Sequence, residues 1–167
     1  HVWLDPENAK IEMEAIRDAL CAADPENSTV FQSNYEKYAA ELDALDAEFR
    51  EKLAPLPNRT IVVAHEAFGY LCDAYGLTQV GIEGLSPDSE PDPGRMAEVI
   101  DFVREHSIST IFFEELVSPK VAEAIASETG AQAKMLSPLE GLSDEQAAAG
   151  ADYFSVMHDN LAALMEA

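Results

Sequence analysis

Residues 59–71, Arg-Thr-Ile-Val-Val-Ala-His-Glu-Ala-Phe-Gly-Tyr-Leu, decide how the rest of the chain is interpreted. The β-branched run 61–63 stops at His65, and a helix-like pattern begins directly after it. Such a short apolar run is typical of a strand that is buried on both faces of a parallel sheet. Because α/β sheets bind ligands beyond the carboxyl ends of their strands, His65 occupies a position suited to binding or chemistry. For a lone histidine, a capping or hydrogen-bonded side chain at the sheet edge is the preferred interpretation, and other residues have to favour a ligand.

Two helices are predicted before this strand. Asp5-Pro6 combines a capping side chain with a proline at the first helical position, and apolar residues follow at helical spacing up to Leu20. From Phe31 to Leu53, apolar side chains recur at alternating steps of four and three, which predicts one long amphipathic helix. At a rise of 1.5 Å per residue this helix is ~35 Å long. It could be a coiled-coil arm or a strut that joins two lobes.

Strands and helices alternate through the remainder of the chain. Four short strands are predicted, at residues 60–64, 78–82, 108–113 and 131–136. Helices are predicted after them, two ending at Gly76 and Gly130, and a capping box at residues 143–146 opens one last helix. Residues 83–93 contain three prolines and are predicted to be an irregular loop. This alternation predicts an α/β fold, a four-stranded parallel sheet flanked by helices.

Polar side chains follow each predicted strand. The residues are His65 after the first, Glu83 after the second, Glu114 and Glu115 after the third, and Glu140 four residues past the fourth. The carboxyl ends of parallel strands meet at one edge of a sheet, so this edge gathers an imidazole and several carboxylates. Together they could bind a divalent cation or carry out acid/base catalysis.

The composition limits the possible partners. The chain has 167 residues, 10 of them basic and 32 acidic, for a net charge of −22. This charge argues against binding to nucleic acid or anionic membrane surfaces, and it favours attraction of cations. No apolar run approaches the ~18–20 residues that a membrane span requires. We expect the two cysteines, Cys21 and Cys72, to be free buried thiols rather than a disulfide.

Several catalytic motifs are incomplete. His65-Glu66 begins like the HExxH zinc-protease motif, but Gly69 stands where the second histidine belongs. No serine lies in a G-x-S-x-G elbow, and no glycine-rich phosphate loop follows a strand. His106 is expected to lie late in a helix, as a C-terminal cation or surface residue, and His158 to be exposed to solvent.

Four separated motifs carry a resemblance to a known family. They are HVWLDP at residues 1–6, AHEAFGY at 64–70, the Ser-Pro and Glu-Pro pairs at 86–91, and PLEGL at 138–142. In this order the motifs resemble the metal-binding lipoproteins that serve ABC importers of zinc and manganese, and they are most similar to the zinc-specific members. The resemblance covers essentially the whole chain.

The resemblance implies a bilobed, extracytoplasmic receptor whose lobes are joined by a long helix. Residues 1–30 would be a remnant of the first lobe, 31–57 the interlobe helix and 58–167 the C-terminal α/β lobe. The implied metal ligands are His1, His65 and Glu140, together with a first-lobe histidine upstream of this chain. The implied cargo is zinc, with manganese as the alternative, and the implied partner is the membrane subunit of an ABC permease. No covalent chemistry and no direct membrane insertion are expected.

Two departures from the family pattern bear on this site. Ser137 stands where many relatives have an aspartate, and the upstream lobe with its histidine is absent from these residues. We therefore expect weakened metal binding by this chain, with His1 on a mobile terminus. The alternative from another class is a metal-dependent hydrolase with Glu66 as base and His65 as ligand. A structural or adhesion domain with incidental histidines is a further alternative.

Overall fold

Four parallel strands form the centre of the molecule. The computed structural model describes residues 1–82, 93–115 and 118–167. Its strands are β1 (Thr60–Val63), β2 (Thr78–Gly81), β3 (Thr110–Phe113) and β4 (Gln132–Met135), in the order β2-β1-β3-β4. The predicted α/β fold with a four-stranded parallel sheet is confirmed, although every strand is shorter by one or two residues than the sequence indicated.

Helices cover both faces of this sheet. The helices that follow the first three strands are α3 (Gly69–Tyr75), α4 (Pro93–Glu105) and α5 (Lys120–Thr129). Successive residues of β1 enter different cores: Ile61 and Val63 pack with Phe49, Leu71 and Met157, and Val62 packs with Val99, Ile111 and Ile125. Period-two alternation with apolar residues on both sides is the signature of a strand that is buried on both faces.

Two long helices precede the sheet. They are α1 (Pro6–Ala23) and α2 (Ser28–Leu53), preceded by short 3₁₀ turns at Val2–Leu4 and Pro25–Asn27. Asp5 caps α1 as predicted, since its side chain accepts a hydrogen bond from the Glu7 backbone. The second half of α2 is buried through Leu42, Leu45, Phe49 and Leu53, whereas the apolar face of its first half packs only partly, against α1. The prediction of one long amphipathic helix is confirmed.

The last helix of the prediction is two helices. The capping box at Ser143 and Gln146 is present, but it opens only α6 (Asp144–Ala149), which ends at Gly150 with φ of +75°. A second capping box, made by Asp152 and Ser155, then starts α7 (Tyr153–Leu164). The prediction of one helix was wrong because this glycine, in the left-handed conformation that favours helix ends, breaks the pattern.

The remaining expectations concern the helix ends, the two cysteines, the proline-containing loop and membrane spans. The helix after β1 begins only at Gly69, because a bend at residues 64–66 precedes it, in which the Ala67 N–H donates to the His65 carbonyl. Gly76 and Gly130 end α3 and α5 as predicted. Both cysteines are free, Cys72 buried and Cys21 half-buried. The loop containing Glu83 and the Ser-Pro and Glu-Pro pairs lies outside the described residues. Among the described helices, none has the length and apolar character of a membrane span.

Candidate metal site

The three predicted ligands meet at one edge of the sheet. One ligand atom from each of His1, His65 and Glu140 lies within 4.8 Å of the other two. The His1 and His65 ring centroids are 5.3 Å apart, and Nε2 of His1 is 2.6 Å from Oε1 of Glu140. Two imidazoles and a carboxylate so close together are a donor set that suits a divalent transition metal.

The sheet register places His65 beside Glu114. Val63 of β1 pairs with Phe112 of β3. Two residues beyond each of them, the buried side chains of His65 and Glu114 form a hydrogen bond between Nδ1 and Oε1. Burial raises the pKa of the Glu114 carboxyl, and the adjacent imidazole partly opposes that rise. The other ring nitrogen, Nε2, is buried and has no hydrogen-bond partner among the described residues. A buried nitrogen left free in this way costs ~1–3 kcal/mol, which a bound cation would offset.

The loop that carries Glu140 is fixed at its base by Asn160 of α7. The Asn160 amide accepts a hydrogen bond from the Ser137 N–H and donates one to the Ser137 carbonyl, both at 2.8 Å. The Ser137 hydroxyl donates to Glu115 and accepts from the Leu139 N–H. Leu139 has φ of +54°, a left-handed conformation that costs a branched side chain ~1–2 kcal/mol. These bonds therefore hold a strained turn immediately before Glu140, one of the predicted ligands.

The segment with His1 is attached to the same loop. The Trp3 indole donates to the Pro138 carbonyl at 2.9 Å, and the Tyr153 hydroxyl donates to the Trp3 carbonyl at 2.8 Å. The His1 ring lies between Trp3 and His65, with centroids 5.4 and 5.3 Å away. The expectation of a mobile His1 is not tested by these contacts, but they give the residue a defined place beside Glu140.

Replacing Asn160 with alanine should lower the free energy of unfolding by about 2–3 kcal/mol, because two buried backbone groups of Ser137 lose their partners. Urea denaturation followed by circular dichroism measures this loss. The control is Asn34→Ala, which removes an exposed amide from α2 and should change stability by no more than ~0.5 kcal/mol. Equal stabilities of the two variants would show that Asn160 does not hold the loop.

Glu115 is not part of the converging cluster, and it accepts a hydrogen bond from the Ser137 hydroxyl. Glu83 lies outside the described residues. Glu66, the base of the hydrolase hypothesis, is not in the converging cluster. Its Cγ would be 2.4 Å from a Cβ at position 81, so a larger residue in place of Gly81 would force the Glu66 side chain to move.

The other histidines are separate from this cluster. His106 follows α4 directly, where its ring stacks on Phe102 with centroids 4.0 Å apart and its Nδ1 donates to the Phe102 carbonyl. His158 is half exposed and lies 3.3 Å from Glu48 of α2. Both placements agree with the surface positions expected for them.

Sequence reasoning missed two supporting residues. Glu114 was grouped with the strand-end carboxylates, but its specific pairing with His65 was not anticipated. Asn160 was overlooked although it falls on the apolar face of α7, between Met157 and Leu161. A polar side chain on a buried helix face has to find a partner, and that requirement was the available signal.

A parallel α/β domain with two imidazoles and a carboxylate beyond its strand ends has the form of a domain that binds a metal ion at its sheet edge. The family described as zinc-uptake complex component A, periplasmic (ZnuA), matches residues 1–167. The chain belongs to this family.

Three relatives show the extent of the similarity. The zinc-binding protein AdcA of Streptococcus pyogenes is 42% identical over 164 residues, which are 98% of this chain and 32% of that protein. The Zn(II)-bound ZnuA-like domain of Streptococcus pneumoniae AdcA superposes with a TM-score of 0.87 at 42% identity, covering 99% of this chain and 62% of that one. The laminin-binding protein Lbp of Streptococcus pyogenes gives a TM-score of 0.89 at 38% identity, covering 99% and 63%. The chain thus spans about a third of AdcA and less than two thirds of either solved chain.

Proposed function

We propose that this chain is part of an extracytoplasmic receptor that captures zinc and delivers it to an ABC importer. The observation that carries the proposal is the convergence of His1, His65 and Glu140, whose ligand atoms lie within 4.8 Å of one another. Membership of the ZnuA family and similarity to a Zn(II)-bound relative support it. The periplasmic description of the family supports the extracytoplasmic location.

The donor set favours zinc over manganese. Two imidazoles with one carboxylate match the nitrogen-rich sites that zinc occupies, with metal–ligand distances of roughly 2.0–2.2 Å. Manganese prefers more oxygen ligands. In the structure, Nε2 of His1 is hydrogen-bonded to Glu140, and a metal ion bound by both side chains would replace that hydrogen bond.

The charge distribution suits a receptor for cations. A net charge of −22 attracts divalent ions to the molecule from a distance, and screening by salt shortens that range. The ligand side chains themselves attract the ion only over the last few ångströms of its approach. A site that combines buried His65 with the more exposed Glu140 can release its cargo through the exposed side.

The proposed receptor function implies a division of the chain between two lobes. In this proposal residues 1–30 belong to a first lobe, residues 31–57, which contain α2 from Phe31 to Leu53, join the lobes, and residues 58–167 form the second lobe. The upstream lobe would supply a fourth ligand, and the membrane subunit of a permease would receive the metal. The exposed apolar side chains of α1, Ile11 and Ile16, are consistent with helices that have neighbours beyond this lobe.

Calorimetric titration of the metal-free chain tests the proposal. We expect saturable binding of one zinc ion per chain, weaker than in relatives with a complete ligand set, and displacement of manganese by zinc in competition. The control variant His158→Ala removes an exposed imidazole that is not part of the cluster and should titrate like the wild type. Absence of saturable zinc binding would contradict the proposal, and preference for manganese would replace its cargo.

A further inference from the structure

Glu114 forms a buried hydrogen bond with His65, although Glu114 is not one of the proposed metal ligands. We propose that Glu114 is a positioning residue, which fixes the tautomer and orientation of His65 so that Nε2 presents its lone pair to zinc. This inference rests on the function proposed above. It assigns to Glu114 no direct contact with the metal.

The geometry determines which ring nitrogen carries the proton. A carboxylate only accepts hydrogen bonds, so the nitrogen that contacts Glu114 must be the donor, Nδ1–H. A neutral imidazole that is protonated at Nδ1 has its lone pair on Nε2. Nε2 is also the atom that has no partner among the described residues, and the ring to which it belongs faces His1.

The sheet provides a rigid base for this pair. His65 and Glu114 each lie two residues beyond the paired Val63 and Phe112, and the Ala64 N–H donates to the Phe112 carbonyl at 2.9 Å, which extends the ladder to the ligand. Both side chains are almost completely buried, with 1% and 4% exposure. Neither can turn toward solvent without moving the strand ends, so the contact is preorganised.

The charge of Glu114 gives it a second effect on zinc. Two neutral imidazoles and the Glu140 carboxylate leave a divalent cation with one uncompensated positive charge. The buried carboxylate of Glu114, one imidazole ring away, balances it where water cannot. Carboxylates that hold metal-bound histidines in this way also raise the basicity of the ligand.

The test compares Glu114→Gln with the wild type, and uses Glu123→Gln as the matched control. Glutamine keeps the size of the side chain but removes the charge, and its amide can donate to Nδ1 as readily as accept from it. Glu123 is an exposed carboxylate on α5, so its variant removes the same charge from the same lobe without touching His65. Two measurements are made on each protein: the tautomer of His65 from ¹⁵N–¹H long-range NMR spectra without metal, and the zinc dissociation constant by chelator competition.

We expect wild type and Glu123→Gln to show His65 protonated at Nδ1 and to bind zinc alike. Glu114→Gln should show a mixture of tautomers and a dissociation constant ~10–100-fold higher. An unchanged tautomer and affinity in folded Glu114→Gln would overturn the inference while leaving the zinc site standing. Failure of the wild type to bind zinc would instead contradict the proposed function, and the metal-free NMR spectra would still report whether Glu114 sets the tautomer.

Glu114→Asp provides a second variant should the glutamine form fold poorly. Aspartate keeps the charge but shortens the side chain by one methylene group, so it separates the contribution of charge from that of contact. If contact sets the tautomer, this variant loses the Nδ1–H preference although its carboxylate remains. Retention of both the wild-type tautomer and the wild-type zinc affinity in Glu114→Asp would show that the contact is not needed.

Discussion

Replacement of His65 with alanine is expected to raise the zinc dissociation constant by more than ~100-fold, beyond the range found for loss of a residue that merely supports a ligand. The reason is that His65 supplies the buried nitrogen of the cluster, and its Nε2 has no other hydrogen-bond partner among the described residues. Removing the ring also leaves Glu114 buried without its imidazole partner. Calorimetry or competition with a chromophoric chelator measures the change.

Two further variants separate lost binding from lost folding. His1→Ala and Glu140→Gln alter the partly exposed residues of the proposed ligand set, so they should leave the fold intact while each weakens zinc binding. Circular dichroism of His65→Ala shows whether that variant remains folded. Wild-type affinity in any folded variant of the three ligands would remove that residue from the site.

The strands and their ends were predictable from the sequence because the causes that set them are local. The β-branched run of β1, the prolines after α2 and the glycines at 76 and 130 each act within a few residues of their own position. Parallel pairing then brings the strand ends to one edge whatever the exact register. The position of His65 at the binding edge of the sheet therefore follows from a single short stretch, whereas its role as a ligand is what the family resemblance implied.

The contacts behind the ligands depend on distances along the chain that pattern reasoning does not reach. Glu114 meets His65 across 49 residues, and Asn160 meets Ser137 across 23. The first contact depends on the register of the sheet, and the second depends on the rotation of α7 about its axis. Both the register and the rotation result from packing of the whole core. The split between α6 and α7 was missed for a different reason. The second capping box, at Asp152 and Ser155, was a local signal hidden inside an apparently continuous helical pattern.

These supporting contacts explain how the departure at Ser137 is accommodated. Its hydroxyl donates to Glu115, while its backbone is bound by Asn160. A carboxylate at this position would lie against that of Glu115, and the like charges would repel each other. In this chain the residue at 137 thus shapes the loop, and the proposed carboxylate ligand is Glu140.

Replacement of Phe49 with alanine is expected to lower the free energy of unfolding by about 3–5 kcal/mol, the range for loss of a fully buried aromatic side chain. Phe49 is 0% exposed and joins α2 to the core beneath the sheet. Its ring centroid lies 5.0 Å from that of Tyr75, on α3. The cavity left by alanine would thus lie between α2 and α3, the helix that follows β1.

Chemical denaturation of Phe49→Ala and of Val30→Ala distinguishes packing from helix propensity. Val30 lies on the same helix but is 55% exposed, and alanine is the better helix former, so its variant should differ from wild type by no more than ~0.5 kcal/mol. Fitting the wild type and both variants with one m-value gives the two differences in the free energy of unfolding. If Phe49→Ala lost no more stability than Val30→Ala, the second half of α2 would not be anchored in the core. If the loss is as large as expected, saturating zinc should recover part of it, because a ligand that binds only the folded state stabilises that state.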